Sequence, residues 1–191
     1  MKRLFCFLLL SLTAAAQNLP STSLTKGTWQ FGIWGGGGTA FHGSTSDTRM
    51  ANAGIRIGRI MTGEHGGGWV RGNLELSADV MPVFVIFQSN TVYGGGVTAP
   101  IFRWNFTGNK KKIAPYFEVG GGLLYTRSDV PPGTSRINFT PQGGFGFNVF
   151  ARERRSVSFD ARYMHLSSAG LGDPNPGIDS VQFRIGFNWF R

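Results

Sequence analysis

A histidine and a serine, His165 and Ser167, stand two residues apart at the end of a strand-like segment near the C-terminus. The residues of the same parity just before them are largely apolar: Val157, Phe159, Ala161 and Tyr163. Because successive side chains point to opposite faces of a β-strand, His165 and Ser167 continue this apolar face. A neutral imidazole can take the proton of a serine hydroxyl and make it a nucleophile, provided that a carboxylate holds the imidazole. The spacing therefore indicates nucleophilic catalysis if a carboxylate lies nearby.

Asp179 supplies that carboxylate if the last two strands pair as an antiparallel hairpin with His165 opposite Asp179. In this register Asp160 faces Arg184 on the other side of the sheet, so that opposite charges match as well. The remaining pairs are Ser167 with Gly177, Tyr163 with Val181, Ala161 with Phe183, Phe159 with Ile185 and Arg162 with Gln182. The register predicts that His165, Ser167 and Asp179 meet on one face as candidate catalytic residues.

Turn signals and alternating hydrophobicity divide the chain into eight candidate strands. Their predicted bounds are Thr28–Gly37, Met50–Met61, Arg71–Val83, Thr91–Phe106, Ile113–Thr126, Ile137–Phe150, Ser156–Ser167 and Asp179–Phe190. One face of these strands is apolar, and the other is polar or small and carries Glu75, Asp79, Glu118, Asp160, Arg162 and Arg184. Such charges suit a closed, hydrogen-bonded lumen, and the apolar face suits lipid. The pattern favours an all-β fold, an eight-stranded antiparallel transmembrane β-barrel, over a soluble β-sandwich, which alternates too.

The barrel interpretation places the candidate catalytic residues on the lipid side, near the outer rim, because the longer connections of bacterial barrels are extracellular. Polar groups that face lipid are costly and usually functional. The position therefore predicts a lipid substrate. Runs of glycine at 35–38, 66–68, 94–96 and 120–122 are interpreted as relief of crowding in a narrow barrel or as sites of sharp bends. Of the other histidines, His42 and His65 are assigned to loops.

The N-terminus has the pattern of a secretory signal: basic Lys2 and Arg3, a short apolar run and the small residues Ala14 to Ala16. We expect a cleaved signal peptide over residues 1–16 and one barrel domain over 17–191. Cys6, the single cysteine, would leave with the signal, which excludes disulfides and thiol catalysis in the mature chain. The 19 Lys and Arg residues against 10 Asp and Glu are dispersed, apart from clusters at Lys110 to Lys112 and Arg152 to Arg155 that solvated turns also explain. Export argues against a nucleic-acid partner and favours an anionic membrane surface.

The stretch "HLSSAGLGDPNPGID", His165 to Asp179, resembles the C-terminal motif of the lipid A 3-O-deacylase (PagL) family. That motif runs His-x-Ser-Asn-Ala-Gly, then Asn-x-Gly, then Glu. The resemblance implies an eight-stranded outer-membrane barrel in which His165 is the base, Ser167 the nucleophile and Asp179 the acidic member. It further implies that Asn175 is the loop asparagine and that Ala169 and Gly170 form the turn that helps to bind the oxyanion.

Two positions depart from the family motif. Ser168 stands where the family usually has an oxyanion-hole asparagine, and a hydroxyl reaches less far than an amide. Asp179 replaces a glutamate and is one methylene shorter. Either change weakens catalysis or marks a branch of the family that acts on a different ester. Loss of one oxyanion donor can cost on the order of 100- to 1000-fold in rate.

The sequence and the resemblance together predict an outer-membrane serine esterase that hydrolyses an ester-linked acyl chain of lipid A, in the lipopolysaccharide of the outer leaflet. The predicted chemistry uses no organic cofactor and no metal. Two alternatives stay open: a non-enzymatic barrel of the OmpA-like or OmpX-like type, for adhesion or membrane stabilisation, and an acyltransferase that uses the same acyl-enzyme chemistry. The sequence also leaves open the acyl length, the ester position and the oligomeric state, with a homodimer as one option.

Overall fold

The structure, a computed structural model, describes residues 24–42, 47–108, 112–171 and 175–191. The described residues form antiparallel strands and one 3₁₀ turn, Gly68–Val70. The strands are β1 (Trp29–His42), β2 (Arg49–Ile60), β3 (Gly72–Phe87), β4 (Thr91–Phe106), β5 (Ile113–Thr126), β6 (Ile137–Phe139), β7 (Gln142–Arg152), β8 (Arg155–Leu166) and β9 (Ile178–Phe190). In this part of the chain no helix is long and apolar enough to cross a membrane. The predicted signal peptide, residues 1–16, lies outside the described residues.

The sheet closes on itself because β1 pairs with both β2 and β9, and β4 pairs with β5. Segments β6 and β7 pair with β5 in one continuous register, with Leu123 opposite Phe139 and Gly120 opposite Gln142. They are therefore two parts of one barrel strand, interrupted next to Pro141, which has no N–H to donate to a ladder. The predicted eight-stranded antiparallel barrel is confirmed.

The barrel has two ends that we name by their connections. The loop end carries the connections at residues 43–48, 88–90, 127–136 and 167–177, and the turn end carries those at 61–71, 107–112 and 153–154. Strand bounds differ from the prediction mainly at the loop end. There β1 continues to His42 and β3 continues to Phe87, so His42 belongs to a strand and not to a loop.

The predicted first strand ends at Gly37, within the glycine run 35–38, and β1 continues through this run to His42. Several lumenal glycines stand where a larger side chain from the next strand crosses the interior. A Cβ at Gly144 would lie 2.7 Å from Cβ of Arg162, and one at Gly58 would lie 2.6 Å from Oε1 of Glu75. Within the predicted runs, Gly36 agrees with relief of crowding, since a Cβ there would lie 2.8 Å from Cγ of Arg184. The run 66–68 agrees with the alternative of a sharp bend, because Gly66 and Gly68 have φ values of +80° and +58° and a Cβ at Gly68 would meet nothing within 4 Å.

The middle of the lumen holds a buried network of four arginines and four carboxylates. Glu118 lies at its centre and accepts hydrogen bonds from Arg56 (2.8 Å), Arg103 (2.7 Å) and Arg162 (2.7 Å). The other bridges join Arg56 and Arg184 to Asp79, Arg162 to Asp160, and Arg103 to Glu75. Because positive and negative groups balance, each charge of this network has a counterion, as burial in a low-dielectric interior requires.

Apolar side chains close the lumen on both sides of this network, where the sequence analysis expected polar or small residues. At the loop end the buried cluster consists of Ala40, Met50, Met81, Phe84, Ile86, Val92, Leu124, Val130, Met164, Leu166 and Ile178. At the turn end it consists of Leu24, Ile60, Ala114, Phe150 and Phe190. The expectation was wrong because in a narrow barrel side chains from opposite walls pack together and exclude water.

The predicted register of β8 and β9 is confirmed, with His165 opposite Asp179 and Asp160 opposite Arg184. The ladder ends at Leu166 and Ile178, so the predicted pair of Ser167 with Gly177 is not part of it, and Ser167 bridges Phe139 instead. Odd-numbered residues of both strands face outward, and even-numbered ones face the lumen. The predicted ionic contact is corrected in one respect. Asp160 binds Arg162 over 2.7 Å, and Arg184 binds Asp79 of β3 over 3.1 Å, because the lumen brings distant strands as close as neighbouring ones.

Candidate active site

His165 and Asp179 form a hydrogen-bonded pair on the outer surface of the barrel, at the loop end. His165 Nδ1 lies 2.7 Å from Oδ1 of Asp179, and the two side chains are 33% and 26% exposed. An Nδ1–H that donates to the carboxylate fixes the tautomer in which Nε2 carries a lone pair. The pair is thus arranged for proton transfer at Nε2, which is the arrangement that a general base requires.

Ser167 lies on the same outward face as His165, two residues further along the chain and one residue beyond the end of β8. Its backbone is held by an isolated bridge to the end of β6: Phe139 N donates to Ser167 O over 2.7 Å, and Ser167 N donates to Phe139 O over 3.2 Å. Side chains at this spacing leave the strand roughly 6.6 Å apart. Among the described residues, a hydrogen bond joins His165 to Asp179, and none joins the Ser167 hydroxyl to His165.

Gly177 marks the direction of that far edge. Its φ is +65°, and a Cβ on it would lie 2.8 Å from Cε1 and 3.4 Å from Nε2 of His165. Gly177 is also the residue that the predicted register places opposite Ser167. The Nε2 edge of the imidazole therefore lies beside Gly177, and a glycine leaves room for it.

The segment after Ser167 makes a tight turn that Asn175 braces. Ala169 and Gly170 have φ values of +51° and +86°, and Leu171 N donates to Ser168 O over 3.0 Å. Two successive positive φ angles with this hydrogen bond are features of a type I′ turn. Asn175 Oδ1 accepts from both the N–H and the hydroxyl of Ser168, over 3.0 and 3.1 Å. Ser168 is buried, and both of these bonds tie the turn to the later part of the loop.

Tyr163 is a residue of the site that the sequence analysis did not single out. Its hydroxyl donates to Asp179 Oδ1 over 2.5 Å, so the same oxygen contacts Tyr163 and His165. The alternation of the strand could have indicated Tyr163, since it precedes His165 by two residues and therefore lies on the same face. Its ring also packs against Phe41 of β1, with ring centroids 6.2 Å apart.

An apolar cleft lies on the same surface, toward the turn end from His165. Its floor is Ala161, and its walls include Phe145 of β7 and Phe183 of β9, which are the neighbours of Ala161 across the two ladders. The cleft measures about 460 Å³. Phe145 and Phe183 are 68% and 66% exposed, so the small residue between them opens a groove along β8.

Within the described part of the chain, no three His, Cys, Asp or Glu side chains cluster in a way that could hold a metal ion.

Two solved structures show the same fold. A structure described as the outer membrane enzyme PagL covers 81% of this chain and 97% of its own, with a TM-score of 0.59 at 22% identity. The outer membrane protein OprG from Pseudomonas aeruginosa covers 88% of this chain and 98% of its own, with a TM-score of 0.50 at 11% identity. These similarities support the barrel architecture alone.

Sequence comparison is more specific. A curated relative, lipid A deacylase PagL of Bordetella bronchiseptica, is 34% identical over 86 residues, which cover 44% of this chain and 43% of that protein. The chain thus matches less than half the length of this relative. The family model described as lipid A 3-O-deacylase (PagL) matches residues 25–188, a span that takes in the candidate active site and nearly all of the barrel. The chain therefore belongs to the lipid A 3-O-deacylase (PagL) family.

Proposed function

We propose that the protein is an outer-membrane esterase that removes an ester-linked acyl chain from lipid A. Ser167 is the nucleophile, His165 the base and then the acid, and Asp179 the carboxylate that orients His165. The observation that carries the proposal is the 2.7 Å contact between His165 Nδ1 and Asp179 Oδ1 on the outward face that also bears Ser167. Membership of the lipid A 3-O-deacylase family supports lipid A as the substrate and its 3-position as the site of the ester.

The chemistry follows from the positions of these groups. Ser167 Oγ attacks the ester carbonyl carbon while its proton passes to Nε2 of His165. The tetrahedral oxyanion is assigned to the backbone N–H groups of Ala169 and Gly170, which the turn after Ser167 presents. Collapse breaks the bond to the sugar oxygen, which takes the proton from His165. Water then attacks the acyl-enzyme with His165 as base, and releases the fatty acid and the serine.

The surroundings of the pair suit a membrane-embedded substrate. The exterior of the barrel is apolar, as shown by exposed Phe145, Phe183, Ile185 and Phe187 on the strands beside the site. Lipid would bury these side chains. The cleft over Ala161 lies on the same face as Ser167 and can hold an acyl chain that runs along β8. The ester would then lie at the loop end, at the level of the lipid headgroup.

Mass spectrometry of lipid A from cells with and without the protein tests this proposal. We expect the loss of one acyl chain in cells that carry the wild type. Ser167→Ala and His165→Ala should reduce deacylation on the order of 10⁴-fold or more while the barrel stays folded. Ser89→Ala, at an exposed serine of the 88–90 loop at the same end, is the matched control and should keep wild-type activity. Unmodified lipid A in all strains would favour the non-enzymatic barrel, and wild-type rates in Ser167→Ala would refute its role as nucleophile.

A further inference from the structure

We propose that Tyr163 is a positioning residue that holds the carboxylate of Asp179 in the orientation His165 needs. The inference rests on the proposed function and assigns to it a residue outside the serine, histidine and acid of the family motif. Tyr163 touches neither the reacting ester nor Ser167 in this scheme. It acts through Asp179.

The hydrogen bonds define the role. Oδ1 of Asp179 lies 2.5 Å from the hydroxyl of Tyr163 and 2.7 Å from Nδ1 of His165. Tyr163 and His165 flank the carboxylate along β8, and Asp179 lies directly across from His165 and diagonally from Tyr163. Diagonal neighbours on a sheet are within reach of an aromatic side chain. The tyrosine hydroxyl therefore contacts the same oxygen as the imidazole and fixes the direction in which that oxygen points.

The length of Asp179 explains why a second donor matters here. The aspartate side chain is short, so its carboxylate stays close to the backbone of β9. The correct rotamer then has to be selected by neighbouring groups. Two donors on Oδ1 favour the one rotamer in which that oxygen lies between Tyr163 and His165. A hydroxyl bond also stabilises the ionised carboxylate on a surface that faces lipid.

Tyr163 is itself held from another strand of the barrel. The ring of Phe41 of β1 packs against it at a centroid distance of 6.2 Å. Phe41 lies at the irregularity of β1, where the pairing with β9 shifts between Ala40 and His42. An extra residue at such a point bends the strand and redirects a side chain. Phe41, Tyr163, Asp179 and His165 thus form a continuous row of contacts that ends at the imidazole.

The kinetic test is a double-mutant cycle on purified protein in detergent, with lipid A as substrate. Tyr163→Phe keeps the ring and its packing but removes the hydroxyl. We expect kcat to fall about tenfold, equivalent to ~1.4 kcal/mol, with KM unchanged. In the Asp179→Asn background the same change should alter kcat less than about twofold, because coupled residues give non-additive effects. Tyr125→Phe, an outward tyrosine that is 56% exposed on β5, is the matched control and should leave kcat unchanged.

The second test measures the tautomer of the His165 imidazole directly. Nitrogen-15 NMR of the His165 ring, assigned with His165→Gln, reports which nitrogen carries the proton. We expect the Nδ1–H tautomer in the wild type and a mixture of tautomers in Tyr163→Phe. An unchanged tautomer in Tyr163→Phe, or an equal loss of kcat in the wild-type and Asp179→Asn backgrounds, would overturn the positioning role. If the wild type fails to release fatty acid, the proposed function fails, and the NMR spectra still decide the role of Tyr163.

Discussion

Gly177 offers the sharpest test of the geometry around His165. Replacing it by alanine adds a single methyl group, and that methyl would lie 2.8 Å from Cε1 of the imidazole. Ordinary contact begins near 3.4 Å, so the ring has to retreat by about 0.6 Å or the loop has to move. Either movement disturbs the 2.7 Å contact with Asp179 and, in the proposed mechanism, the approach of Nε2 to Ser167. Because a 1 Å misplacement costs about 100-fold in rate, we expect deacylation to fall on the order of 10- to 100-fold.

The same substitution also strains the backbone, since Gly177 has a φ of +65°. The left-handed conformation costs alanine about 1–2 kcal/mol, which would lower the free energy of unfolding without any effect on catalysis. Gly133→Ala separates the two effects. Gly133 has a φ of +78°, a Cβ there would meet nothing within 4 Å, and it lies in a different connection, 127–136.

The assay compares initial rates of fatty-acid release from lipid A with unfolding in denaturant for both variants. Gly133→Ala should lose about 1–2 kcal/mol of stability and keep wild-type rates. Gly177→Ala should lose a similar stability and also the roughly 10- to 100-fold in rate that follows from displacement of the imidazole. A folded Gly177→Ala protein with wild-type rates would show that the ring does not need the space beside Gly177, and the assignment of Nε2 as the base would be wrong.

Two further predictions concern carboxylates. Asp179→Asn should lower the deacylation rate on the order of 10³-fold. This loss is smaller than the about 10⁴-fold for the buried aspartate of serine proteases, because the Asp179 side chain is 26% exposed. Asp179→Glu should lower the rate less than about tenfold, and equal rates for Asp179→Asn and the wild type would show that Asp179 has no role in the mechanism. Glu118→Gln should lower the free energy of unfolding by about 3–5 kcal/mol in urea titrations in detergent, because three buried arginines would lose their shared partner. Glu64→Gln, which breaks the partly exposed bridge to Arg71, should cost less than about 1 kcal/mol, and a similar cost for both variants would contradict the role given to the lumenal network.

The sequence by itself determined the barrel and the outward position of the site. Alternation is a local property of a strand, because successive side chains point to opposite faces. A one-residue slip would move His165 and Asp179 to the wrong face, so hydrophobicity specifies the register strongly. The pairing of His165 with Asp179 could therefore be predicted, and the ladder confirms it. The turn at Ala169 and Gly170 likewise depends on neighbouring residues of the chain.

Contacts between strands that are distant in sequence were decided by the tertiary structure. Arg184 binds Asp79, and Glu118 binds three arginines, because the narrow closed lumen brings side chains of non-adjacent strands into contact. The local sequence pattern does not specify which strands come into contact in this way. The apolar clusters at the two ends of the lumen have the same origin. At the site, the packing of Phe41 on Tyr163 depends on the closure of β1 onto β9. The rotamer that directs the Tyr163 hydroxyl to Asp179 is likewise set by its surroundings, since a residue's parity fixes its face but not the direction of its terminal atoms.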